Sequence, residues 1–480
     1  MQSYELIVGL EIHVELATNS KIFCGCRNAF GLEANMSVCP VCMGLPGALP
    51  VFNEEVLRLA CLAGKALNCK INSYSRFDRK HYFYPDLPKS YQITQLYHPL
   101  CEKGNVEISL ENGMKNIGIT RIHIEEDAGK LIHNSELGTG IDMNRCGIPL
   151  IEIVTEPDLR SPSEASALLK EIRSLLVFAG ASTCKMNEGK MRCDVNISIR
   201  KSGEALQTRT EIKNINSFQG VEQAILSEYE RQKEVLTNGG KVVRETRRYD
   251  QNTNSTMSMR RKETIDDYRF FPEPDLPPIF LSEAGIERIS LSMPEPSKKR
   301  KKRYVEELGL NYSVSEQLLQ EKWISDYFEK AYRDAGSPST FANLIVGELF
   351  SLVEIDSACN FPISASKLVQ VSNMLSKCEI NSNTAKRIIH EVIATNCDPF
   401  EFAKQENLFM INDVNQLFSV AEKVINENFR MVAQYYEGKT VVIKALMGKA
   451  MKLLDGKANP KLLEECILEE LLKRGESKND

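Results

Sequence analysis

The chain of 480 residues has no run of 18 or more apolar residues, so a membrane-spanning helix is not expected. Its opening, M-Q-S-Y-E-L, has no basic segment leading into an apolar stretch. No secretory leader is therefore expected, and a cytoplasmic location is. There are only six histidines, and the net charge is −5, which gives no global basic field. An RNA partner would have to be held by local patches. The sequence has no G-x-x-x-x-G-K-[ST], no G-x-G-x-x-G, no kinase catalytic loop and no evident Ser-His-Asp order. Any use of ATP would therefore rest on metal ions held by carboxylates. Fourteen cysteines in a chain without a leader imply reduced thiols, not a disulfide framework.

What is present is an ordinary globular composition, 42% hydrophobic and 26% charged, long enough for two to four domains. The organising stretch is R-I-H-I-E-E-D-A-G-K, residues 121–130. As a strand of period two it sets Ile122 and Ile124 against His123 and Glu125, with Glu126 and Asp127 at its end. Adjacent carboxylates repel, and burying them is costly without a balancing cation. The pattern recurs. Glu11, His13 and Glu15 alternate with Leu10, Ile12, Val14 and Leu16; Arg192, Asp194, Asn196 and Ser198 alternate with Cys193, Val195, Ile197 and Ile199; Glu211 and Lys213 flank Ile212. One such strand is an ordinary half-exposed one. Four suggest a sheet whose polar face is a site, and oxygen ligands with an imidazole suit Mg²⁺ or Mn²⁺.

Two close thiol pairs, Cys24 and Cys26, then Cys39 and Cys42, fit a structural four-thiolate zinc knuckle, with Gly25, Gly44 and Gly47 for tight turns. Residues 79–95 interleave Arg79, Lys80, His81 and Lys89 with Tyr82, Phe83, Tyr84 and Tyr91. Prolines fix the path of this loop, which suits an anionic ligand or RNA. Asn53 predicts a helix from 54 to 67, a capping box at Ser161–Glu164 begins a second, and a third starts near Ser217. Strands crossed by helices predict an α+β domain over roughly the first 290 residues, closed by the proline-rich segment 270–278, which must wrap over a surface. The six cations at 298–303 read first as a solvated helix start and second as a phosphate-facing helix end. A capping box at Ser313–Glu316 and periodic segments at 340–353, 364–376, 382–394 and 414–436 predict helices only. The glycine-rich tail carries Lys439, Lys444, Lys449, Lys452 and Lys457, a pattern suited to RNA backbone contact.

These motifs resemble one family. V-G-L-E-I-H-V-E-L (8–16), K-H-Y-F-Y-P-D-L-P-K-S-Y-Q-I-T-Q (80–95), I-E-E-D-A-G-K (124–130), D-M-N-R-C-G-I-P-L-I-E-I-V-T-E-P (142–157), R-C-D-V-N-I-S (192–198) and R-T-E-I-K-N-I-N-S-F (209–218) are similar to the B subunits of aspartyl/glutamyl-tRNA amidotransferases. The proline-rich segment and the glycine–lysine tail match as well.

The resemblance implies a glutamine synthetase-like curved antiparallel sheet with flanking helices over 1–292, a helical domain over 293–408 and a tRNA-binding tail over 409–480. It implies work with an amidase A subunit and a small C subunit on misacylated tRNA. ATP would activate the Glu or Asp carboxylate, and glutamine-derived ammonia would displace phosphate. Glu11, His13, Glu125, Glu126, Asp194 and Glu211 are the expected Mg²⁺ ligands. Lys80, Tyr82 and Lys89, with Glu125, are the expected catalytic groups. A relative of the E type, with a large inserted domain, has no room here. The competing class is a non-catalytic RNA-binding protein with a zinc knuckle.

Overall fold

The computed structural model describes residues 4–134, 138–261, 265–355, 359–454 and 456–476. The last four residues of the expected tail lie outside these. The chain divides into two units, residues 1–299 and 300–480.

The first unit is built on nine strands: β1 (Tyr4–Glu15), β2 (Lys70–Ile71), β3 (Cys101–Leu110), β4 (Gly113–Glu126), β5 (Pro149–Thr155), β6 (Met191–Lys201), β7 (Thr210–Ile215), β8 (Glu245–Asp250) and β9 (Ser255–Arg261). They form one sheet in the order β9-β8-β7-β6-β1-β5-β4-β3-β2. Every neighbouring pair is antiparallel except β7 and β8, which run parallel.

Alternation explains the two faces. Leu10, Ile12 and Val14 of β1, Ile122 and Ile124 of β4, Ile151 and Ile153 of β5, and Val195 and Ile197 of β6 are fully or almost fully buried. Removing apolar surface from water is what drives this face inward. Helices α1 (Glu54–Ala66), α2 (Pro162–Phe178) and α3 (Phe218–Thr237) supply the packing partners; α2 lies against β3, and α3 against β6 and α2. Their starts are set by local chemistry. Asn53 accepts the Glu55 N–H at 3.0 Å, and Ser161 accepts that of Glu164 at 3.2 Å. The Glu164 carboxylate reaches the Arg160 N–H, one residue before the position a capping box would use.

The sheet's far edge is held from behind. Glu228 on α3 is fully buried; it accepts from Arg231, Gln232 and Thr256, and Arg247 of β8 lies 3.3 Å away. The proline-rich segment does wrap over a surface. Its Glu273 is buried and takes Arg79 in two hydrogen bonds of 2.8 and 2.9 Å.

Within the second unit the described residues contain helices and no named strand. One core gathers around Phe328, Phe341 and Leu368; another gathers around Leu417, Leu446 and Ile467. The helix expected with Ser313 as its cap starts two residues earlier, at Tyr312, because Asn311 is the cap. The expected helix 414–436 is two, Val414–Glu427 and Phe429–Tyr436, broken at Asn428. The cation run 298–303 lies in the helix Ser297–Glu306. Five of its members have acidic partners: Lys298 with Glu171, Arg300 with Asp326, Lys301 with Glu316, Lys302 with Glu306 and Arg303 with Glu329. Such neutralisation favours the structural reading over a phosphate-facing one.

Glu228→Ala would remove the fully buried acceptor of Arg231, Gln232 and Thr256 and leave Arg247 with Glu245 alone, at 2.6 Å. A loss of about 2–4 kcal/mol of stability is expected in denaturant unfolding of the chain. Glu230→Ala, which removes only the exposed pair with Lys233, should cost under about 1 kcal/mol.

Candidate functional site

Residues directly opposite across an antiparallel pair share a face. His13 stands opposite Glu152 on one side and Arg192 on the other, and Glu152 stands opposite His123. Glu11 stands opposite Asp194, and Glu211 stands between Asn196 and Thr246. The face that the three packing helices leave open therefore carries a band of acids and imidazoles across five strands.

The band resolves into two groups. His13, Glu125 and Glu152 bring one ligand atom each to within 4.8 Å of one another, as do Glu11, Asp194 and Glu211. In the first group, His13 Nε2 lies 3.5 Å from Glu125 and 3.3 Å from Glu152, and His123 lies 3.6 Å from each. Burial alone would raise both carboxyls. The two imidazoles, with Lys80 acting on Glu152, hold them below the usual carboxylate range instead. Burial likewise disfavours a charged His13, but the Glu152 hydrogen bond and the charges of Glu152, Glu125 and Asp194 push it up to about 9. In the second group, Lys213 lies 2.5 Å from Asp194 and 3.7 Å from Glu211, and Thr246 donates to Glu211 at 2.7 Å.

Both donor sets fit a hard divalent cation, being oxygens with at most one imidazole. A further sign of fit lies beside Glu11. Asn196 donates its Nδ2–H to Glu11 at 2.8 Å, while its own Oδ1 is buried with no hydrogen-bond partner. An acceptor left open next to an acidic group is what an oxygen-ligated cation would complete.

The other expected residues fall as follows. Lys80 and Tyr82 lie near the first group: Lys80 sits over the Tyr82 ring and influences Glu152, and the Tyr82 phenol, pushed up by burial, also senses Glu125. Glu126 and Lys89 stand apart from both groups. Adjacent strand residues point to opposite faces, and Glu126 instead accepts Lys89 Nζ at 2.5 Å and the Ile93 N–H at 2.9 Å. Glu152 was not among the expected ligands. Its signal was a lone carboxylate inside the otherwise apolar strand P-L-I-E-I-V-T.

Cys24, Cys26, Cys39 and Cys42 bring their four Sγ atoms within 4.8 Å of one another, a donor set that fits a soft tetrahedral ion such as zinc. Hydrogen bonding from the Cys24 thiol, against the cost of burial and with help from Cys39 and the Lys21 charge, holds Cys42 below the usual thiol range. Lys21 is fully buried and donates to Ser37 O at 2.7 Å, between the two thiol pairs. A cavity of about 160 Å³ joins this cluster to Lys89 and Glu126.

In the second unit, Lys444, Lys449 and Lys452 project from the helix Val442–Leu453, and all three are exposed. Lys439 is exposed before it, and Lys457 is half-buried after it.

The first unit is thus a helix-backed sheet with two acidic groups on its open face and a four-thiol cluster, donor sets that could each hold a cation. Residues 6–287 match the GatB/GatE catalytic domain, and residues 326–471 match the GatB domain. The chain is 42% identical over 480 residues to the B subunit of the aspartyl/glutamyl-tRNA(Asn/Gln) amidotransferase of Carboxydothermus hydrogenoformans, covering 98% of this chain and 100% of that one. It is 45% identical over 477 residues to the B subunit of the same name in Caldicellulosiruptor saccharolyticus, covering 98% and 99%. It belongs to the GatB family, the B subunits of the tRNA-dependent amidotransferases. Membership makes it a component of a glutamine-dependent carbon–nitrogen ligase.

Because the folded-state value of His13 lies above the free imidazole value of 6.5, its stabilising contribution in metal-free protein is complete below pH 6.5 and fades as pH rises towards 9. Imidazole NMR titration of metal-free protein should give a His13 midpoint near 9. Glu152→Gln, which removes the largest attraction, should lower it by about one pH unit or more.

Proposed function

We propose that the open face of the sheet is where ATP phosphorylates the side-chain carboxylate of Glu on tRNA(Gln), or of Asp on tRNA(Asn), before amidation. The observation that carries this reading is the pair of groups that could each hold a cation, His13–Glu125–Glu152 and Glu11–Asp194–Glu211, on one face of adjacent strands. A carboxylate is a poor electrophile at neutral pH. Transfer of the γ-phosphoryl group gives an acyl phosphate and ADP; ammonia then attacks the carbonyl carbon, the C–O bond to phosphate breaks, and amide and inorganic phosphate leave. Mg²⁺ or Mn²⁺ held by the two groups would supply charge neutralisation between the approaching anions.

The chain's own residues divide the work. Lys213 and Arg192 temper the acids, Arg192 through its 2.7 Å contact with Asp127. Lys80 and Tyr82 flank the first group and face the carboxylate being activated. Lys89 and Glu126, on the opposite side of β4, form an ion pair suited to receive ammonium and pass on ammonia, since Glu126 can take a proton and Lys89 can exchange one. The cysteine cluster holds zinc in a structural role, because four thiolates leave no open position. Ammonia comes from an amidase A subunit, assembled with a small C subunit, and the complex works in cytoplasmic translation. The exposed lysines around Val442–Leu453 contact the tRNA backbone. Residues 1–292, 293–408 and 409–480 are the catalytic, middle helical and tail domains.

Glu125→Ala should abolish tRNA-stimulated ATP hydrolysis and amide formation together in the assembled complex, falling at least about 100-fold. Amide formation near the wild-type rate would refute the assignment. Changing Lys444, Lys449 and Lys452 to Glu should reduce the salt dependence of tRNA binding by about 0.7–0.9 in log–log slope for each phosphate no longer neutralised. An unchanged slope would remove the tail from the RNA interface.

A further inference from the structure

The loop that carries the second thiol pair also touches Lys89. Inside C-P-V-C-M-G, Gly44 donates its N–H to Val41 O at 3.0 Å, and Leu45 donates to Pro40 O at 2.9 Å, so the turn is pinned to the knuckle itself. Gly44 has φ +66° and lies so close to its neighbour that a Cβ there would come 2.5 Å from Lys89 Cγ and 3.3 Å from Lys89 Cα and N. Two of those three atoms are backbone, so a methyl group could not be absorbed by swinging the ammonium aside. On its far end Lys89 is held by Glu126, which is itself fixed by the Ile93 N–H. Ser90, the next residue, takes φ +63°, which turns the chain at this point. Cys24, Cys42 and Gly44 share the small cavity with Lys89 and Glu126.

We infer that Gly44 is a positioning residue: through it the metal-loaded thiol knuckle sets the placement of Lys89 against Glu126, so that a structural metal governs the ammonia-handling step and not the phosphoryl-transfer step. The inference rests on the reading of Lys89 and Glu126 given above. Neither residue belongs to the two acidic groups, and strand alternation turns Glu126 away from Glu125 on β4, which is why the two steps separate.

Gly47 supplies a matched control. It has φ +84° and nothing within 4 Å of a built Cβ. Gly44→Ala and Gly47→Ala therefore carry the same kind of left-handed backbone penalty, and only the first presses on Lys89. In the assembled complex three quantities are to be read: zinc per chain, tRNA-dependent ATP hydrolysis, and amide formation against ammonium concentration. A fourth, the rate of Lys89 acylation by an amine-reactive reagent followed by mass spectrometry, does not depend on activity. Gly44→Ala is expected to raise the KM for ammonium about tenfold or more and to speed Lys89 acylation, with ATP hydrolysis within about twofold of wild type. Gly47→Ala should leave all of these near wild type. If the two variants behave alike, the inference is overturned. If Gly44→Ala does not fold, wild-type complex stripped of zinc by a chelator decides: faster Lys89 acylation supports the coupling, and an unchanged rate overturns it. Lys89→Met separates the two levels. If it leaves the ammonium KM unmoved, the role assigned to Lys89 fails; if it raises that KM while Gly44→Ala matches Gly47→Ala, only the positioning by Gly44 fails.

Discussion

Crowded like charge is the constraint on which this fold turns. The sheet gathers Glu11, Glu125, Glu152, Asp194 and Glu211 on one face, with His13 and His123 among them. Repulsion between such groups has to be offset where they stand. The chain offsets part of it with the imidazoles, Lys213, Arg192 and Lys80. What remains is two sets of ligand atoms, each within 4.8 Å of one another, that could hold a cation. The helices behind the sheet serve this arrangement. They bury the apolar alternates so that the register of β1, β5 and β6 is fixed, since a slip of one residue would send the acids into the core.

The same economy of alternation separates the chemistries. Glu125 joins His13 and Glu152, whereas Glu126 joins Lys89 and the cavity beside the thiols. Two neighbouring residues thus join two different sets of side chains, one of carboxylates and imidazole and one of lysine beside the thiols. The cluster of cysteines stands at the second set, and its turn at Gly44 is in contact with the lysine there.

Much of this was legible in the residues. The alternation in L-E-I-H-V-E-L and R-C-D-V-N-I-S gave strands whose polar faces meet, because a half-buried strand writes its two environments into every second position. The thiol pairs were legible because two close pairs twelve residues apart match the spacing of a four-thiolate metal site. Glu152 was harder, since one acid in an apolar strand has no partner in sequence; only the pairing of β5 with β1 shows that it faces His13. The set of expected ligands also ran Glu125 and Glu126 together, where strand period assigns them to opposite sides. The helix boundary at Tyr312 depended on which nearby polar residue caps it, Asn311 and not Ser313, and the break at Asn428 has no side-chain cap to announce it.

The adjacency of Glu125 and Glu126 at the end of β4 makes this site unusually intolerant of length change. Inserting one residue between Ile122 and Glu125 would turn Glu125 towards the lysine's side, and deleting one would turn Glu126 towards His13 and Glu152, with the other acid in each case displaced along the strand. Substitutions here can be graded, whereas indels are all-or-none. A change of residue count in this strand therefore rearranges both of its sides at once.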